Sequence, residues 1–218
     1  DWPPMSPAKI HRLFVGRTGD AYLTHPTEEI EKFNQYFTEL EQKLGDVQFL
    51  GGDLVPPADV ATVAEKIKDA DALFIVHLSG HGGDPPVLSK LIDVGLPTVL
   101  FSQPYSGHHW MYFPQWHKEG KKVVLLPTSD WSEIERGVGL LRVPAKMKHT
   151  RILAIGGPHG SAAACDAAQV KAKLGADLVA IPNERVLQVC ETVGRQAAVA
   201  EAEEYWLKPA QEIVEPTR

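Results

Sequence analysis

The sequence is poor in three things, and each shortage closes off a class of protein. It holds only two cysteines, Cys165 and Cys190, too few and too far apart for a disulfide scaffold or a CxxC metal site. That usage fits a reducing compartment, so the expected location is cytoplasmic, with export behind a removed signal peptide as the alternative. No apolar run reaches the roughly 18 residues of a membrane span, so no membrane partner is expected. Basic residues are outnumbered, 22 Lys and Arg against 28 Asp and Glu, for a net charge of −6. Phosphate binding needs a basic face, which argues against a nucleic-acid partner. Three short motifs are missing too: no GxGxxG, no P-loop lysine and no HExxH.

What is present is ordinary in amount and ordered in pattern. Hydrophobic residues make up 44% and charged residues 23% of 218 positions, a soluble globular composition sized for one large domain or two small ones. Apolar runs at 10–15, 47–50, 72–76, 98–101 and 123–126 read as strands. Between them lie helical patterns. The first spans 27–44, with Thr27 as a cap, Ile30, Phe33, Phe37, Leu40 and Leu44 inward, and Gly45 as its stop. Others fall at 58–70, with Val60, Val63 and Ile67 inward, at 86–94, and as a turn at 113–119. Five alternations predict an α/β fold: a parallel five-stranded sheet covered on both faces, of flavodoxin-like order 2-1-3-4-5.

Residues 132–148 read as a connecting helix that closes the first domain, 1–148. Ile134, Val138, Leu141 and Val143 share one side of it, and Pro144 is expected to end or kink it. The pattern then restarts with a strand at 151–155, a helix at 161–174, a strand at 178–181 and a long helical stretch from 183 to 214. Two strands make a poor sheet alone. Residues 149–218 are therefore expected to be the start of a second Rossmann-like α/β domain, completed by a partner chain or a continuation. The first residue, Asp1, is read as a sign of processing, trimming or a fragment.

Chemistry concentrates after the third and fourth strands, in His77-Leu-Ser-Gly-His-Gly-Gly-Asp84 and Ser102-Gln-Pro-Tyr-Ser-Gly-His-His-Trp110. Ligands of open α/β sheets bind outside the carboxyl ends of the strands, where these loops start. His77 lies inside an apolar run and reads as a hydrogen-bonded core histidine. His81, His108 and His109 with Asp84 have the donor types of a zinc or manganese site, as a metal hydrolase would need. A sequence-adjacent pair rarely aims both rings at one ion, so contact with a substrate or an interface is the stronger reading. Tyr105 and Trp110 offer aromatic faces for the C–H side of a sugar. Thr128, Ser129 and Asp130 suit helix capping, and Cys165 suits packing among the alanines beside it. Gly156-Gly-Pro-His-Gly160 is only loosely a phosphate loop.

Gly16-Arg17 after the first strand, the block 100–110, and the helix 133–147 leading into Arg151-Ile-Leu-Ala-Ile-Gly-Gly157 together resemble the L-fucose/L-arabinose isomerase superfamily. The resemblance spans roughly 9–214. It implies an aldose–ketose isomerase using a divalent metal, usually manganese, whose ligands would lie outside this chain. It also implies a homo-oligomer in which this part walls a neighbour's site, with a sugar or sugar-like molecule as partner. On that reading Arg17, Ser79, His81, Gln103, Tyr105, His109 and Trp110 are substrate-binding residues, and none is catalytic or a metal ligand. A non-catalytic sugar-binding or scaffold protein of the same fold is the alternative.

Overall fold

The computed structural model describes residues 6–16, 26–55, 60–79, 85–104, 106–107, 109–161 and 165–210. The chain divides into two units, 1–150 and 151–218. In the first, β1 (Ala8–Val15), α1 (Pro26–Leu44), β2 (Val47–Val55), α2 (Val60–Lys66), β3 (Ala72–His77), α3 (Pro85–Ile92) and β4 (Thr98–Ser102) follow in order. A 3-10 turn at His109–Tyr112 leads to α4 (Phe113–Lys118), β5 (Val123–Leu126) and α5 (Ser132–Met147).

All strand pairs are parallel, and the sheet order is β2-β1-β3-β4-β5, as the alternation predicts. β3 and β4 are buried at every position, the signature of central strands covered on both faces. The outward alternation of side chains splits the core in two. Ile10, Phe14, Phe74 and Phe101 meet Phe33 and Phe37 of α1 and Ile134, Val138 and Leu141 of α5. Leu13, Val15, Leu73, Ile75 and Leu100 meet Val63 and Ile67, Leu88 and Leu91 of α3, and Trp116 of α4. Aromatic packing sets α1 in place: Phe33 stacks on Trp131 at 4.4 Å between centroids, and Phe37 meets Phe74 edge-on at 5.2 Å. Such pairs add about 1 kcal/mol beyond their burial.

Two elements depart from the sequence reading. β2 runs on through Gly51 and Gly52, which the pattern assigns to a loop. The two glycines take φ of +70° and +116°, and the β1–β2 register slips between Arg12 and Phe14. Glycine thus makes an irregularity in an edge strand rather than its end. Helix α5 also passes straight through Pro144 to Met147. The missing proline N–H falls beside exposed Leu140 and Val143, where water can reach the backbone. Ala145 is buried, and Lys146 and Arg142 both bind Asp46, so tertiary contacts hold the turn that proline weakens. Val143, expected inward, is 62% exposed.

The second unit contains β6 (Arg151–Ile155), α6 (Ala167–Leu174), β7 (Asp177–Ile181), α7 (Asn183–Thr192), α8 (Arg195–Glu201) and a π-helical turn at Ala202–Leu207. Asp166 caps α6 by accepting from the Gln169 N–H, and Gly175, at φ +82°, closes it. β6 and β7 pair in parallel as a two-stranded sheet. Of the described residues in this unit, Ala176 is the one buried hydrophobic, while Leu153, Ile155, Leu187 and Trp206 are exposed. The long helical pattern after 183 is interrupted at Val193 and Gly194, where the backbone turns extended.

Candidate functional site

The carboxyl edge of the first unit's sheet is built by strand register. His77, the last residue of β3, pairs with Val15 on one side and Ser102 on the other, so three strand ends finish level. Leu78 N–H donates to Val15 O at 2.9 Å, carrying the β1–β3 ladder one residue past the strand. Gln103 N–H donates to His77 O at 3.3 Å, and Ser106 N–H donates back to Gln103 O at 3.1 Å, closing a tight turn over 103–106.

Beneath this turn lies a polar ladder inside an apolar core. His77 Nδ1 is 3.4 Å from Ser102 Oγ, which is 2.9 Å from Ser106 Oγ. His77, Ser79, Ser102 and Ser106 are all buried. Buried hydroxyls and imidazoles must find partners, and satisfied networks of this sort fix a single local geometry. His77 is thus the hydrogen-bonded core histidine that its place in an apolar run suggests.

The expected site residues fall out unevenly. Arg17, His81 and Tyr105 lie outside the described residues, as do His108 and Asp84. Ser79 follows β3 and is fully buried, Gln103 opens the turn after β4 and is half-buried, and Trp110 is 51% exposed. His109 begins the 3-10 turn, and its side chain is outside the description. β3 and β4 being adjacent and parallel, Ser79 and Gln103 leave neighbouring strand ends. Ser102 and Ser106 were missed as a pair, although their spacing of four across a proline turn was visible in the sequence.

The remaining polar residues have local uses. Thr128 Oγ1 accepts from the Asp130 N–H, and Asp130 Oδ1 accepts from the Ser132 N–H at 2.9 Å, opening α5. The hydrogen bonds from Ser132 hold the Asp130 carboxyl below the usual carboxylate range. In the second unit Gly156 N–H donates to Ile181 O, which makes the 156–160 segment a strand-end turn. Among the described residues no group of three or more His, Cys, Asp and Glu could hold a metal ion. No described helix is long and apolar enough to cross a membrane.

An open parallel sheet of this order, with helices on both faces, defines a flavodoxin-like α/β fold. No family model matches the chain, and no curated protein matches it. Among solved structures it is similar to FerB, a flavoenzyme NAD(P)H:(acceptor) oxidoreductase from Paracoccus denitrificans. That likeness has 13% identity and a TM-score of 0.34, and covers 62% of this chain and 93% of that one.

These findings correct the family reading. The chain matches no isomerase family model and no curated isomerase. Assignment to the L-fucose/L-arabinose isomerases is withdrawn, and with it the aldose–ketose isomerase activity and the manganese cofactor. The sugar-binding scaffold and metal-hydrolase alternatives find no support either. The physical reason is that polar, glycine-bearing loops after parallel strands belong to the fold itself. A block such as 100–110 reports a strand end and its turn before it reports any chemistry.

Proposed function

We propose that the first unit binds a small polar molecule at the carboxyl edge of β1, β3 and β4. The observation that supports it is the buried His77–Ser102–Ser106 ladder under the 103–106 turn. Uncharged polar groups inside a core cost about 1–3 kcal/mol each if left unpaired, so an apolar strand end would be the easier solution for stability alone. The ladder joins the ends of β3 and β4, and His77 also pairs with Val15 of β1, so it borders the β1/β3 switch point at which sheets of this order take their ligands. In this reading Gln103 meets ligand hydroxyls with its amide, and Ser102 and Ser106 hold the turn that presents it.

Backbone-amide NMR tests this with ribitol, riboflavin and FMN, which share a chain of hydroxyls. At least one should shift the amides of Leu78, Ser79, Gln103, Ser106 and Gly107, and Gln103→Ala should weaken that binding about tenfold. If none of the three moves those amides, the proposal is wrong.

A further inference from the structure

Strand β1 carries one residue that its pattern does not explain. His11 faces the same side as Leu13 and Val15, yet it is polar and only 7% exposed. Its Nδ1 is buried with no hydrogen-bond partner among the described residues. The ring is held in place from behind by Gly51, where a Cβ would lie 2.4 Å from His11 Nε2. Burial lowers the His11 pKa, and Lys66 and Arg12 add to this against the opposing pull of Asp53, so the ring is neutral near pH 7.

The ring borders a cleft of about 130 Å³ between β1, β2 and α2. His11, Asp53, Thr62 and Lys66 give it polar walls, and Leu13 and Val63 give it apolar ones. Asp53, Thr62 and Lys66 are exposed at its mouth. Neither Asp53 nor Lys66 joins an ion pair with any described residue. At about 30 Å³ per liquid water, the space holds about four waters, room for a small molecule.

We propose that this cleft binds a small zwitterion of the α-amino-acid class, separately from the sheet-edge site. One cation and one carboxylate line the same small space without neutralising each other. A simple anion would satisfy Lys66 and be repelled by Asp53, and a simple cation would meet the reverse. A zwitterion satisfies both, its carboxylate on Lys66 and its ammonium on Asp53. A short aliphatic side chain then rests on Leu13 and Val63, beside the His11 ring.

Calorimetry and imidazole NMR on the full chain test this with L-alanine, using acetate and methylammonium as half-ligands. L-Alanine should bind and shift the His11 ring signals, while each half-ligand binds at least about tenfold more weakly. Lys66→Met and Asp53→Asn, both at exposed positions, should each weaken L-alanine binding by about tenfold or more with the circular dichroism spectrum unchanged. The proposal fails if L-alanine gives neither heat nor a His11 shift. It fails equally if acetate binds as well as L-alanine and Asp53→Asn changes nothing, because the cleft is then an anion site.

Discussion

Two glycines in α5, separated by one residue, should respond to alanine with opposite signs. A Cβ on Gly137 would stand 3.1 Å from Leu126 Cδ1, Phe74 Cε2 and Val99 Cγ1. All three are buried side chains of the sheet, so none can swing into solvent. A Cβ on Gly139 would meet nothing within 4 Å. Replacing glycine by alanine in a helix stabilises by about 1 kcal/mol where space allows. At Gly139 that gain stands alone. At Gly137 it is opposed by overpacking, which costs about 1–3 kcal/mol in a close-packed core. Gly139→Ala should therefore gain about 0.5–1 kcal/mol and Gly137→Ala lose about 1 kcal/mol. Urea denaturation followed by circular dichroism reads the gap. With a slope of about 2 kcal/mol per molar, the two midpoints should separate by about 1 M. Equal stabilisation by both substitutions would show that α5 does not rest on β3, β4 and β5 at the closeness described.

Asp46 gives a pH prediction. Burial acts to raise its pKa, but hydrogen bonds and charge from Lys146 and Arg142 outweigh that and hold it below the ordinary 3.8. The unfolded chain then binds the proton more readily, so the pair stabilises above the ordinary value and is lost as pH falls through the lowered one. Asp46→Asn should cost about 1 kcal/mol at pH 7 and progressively less as pH falls below 3.8; a difference independent of pH would refute the assignment. Gly51→Ala should destabilise by about 2–4 kcal/mol, since φ is +70° and the new Cβ meets both the His11 ring and Arg12 O; a neutral result in thermal melts would mean β2 is regular there. We also propose a homo-oligomer, because the second unit exposes Ile155, Leu187, Tyr205 and Trp206. Light scattering should give a mass above the 23.9 kDa of one chain, and a stable monomer would count against it.

Residue pattern alone determined the first unit's architecture. The unbroken apolar runs of β3 and β4, the 3.6-residue spacing from Ile30 to Leu44 in α1, and Gly45 at its end are local signals that tertiary packing reinforced. His77 was legible for the same reason: a polar residue inside such a run has to be hydrogen-bonded. Tertiary structure decided the rest, because it depends on residues far apart in the chain. Pro144 could not end α5 once Asp46, about a hundred positions earlier, bound Lys146. Gly51 and Gly52 could not end β2 once Arg12 and Asn34 met their carbonyls. The cleft beside His11 draws its walls from β1, β2 and α2, and no spacing in the sequence joins His11 to Lys66. Local pattern fixes which segments are strands and helices, since that rests on periodicity. Which polar side chains come to share a small volume rests on how those segments pack.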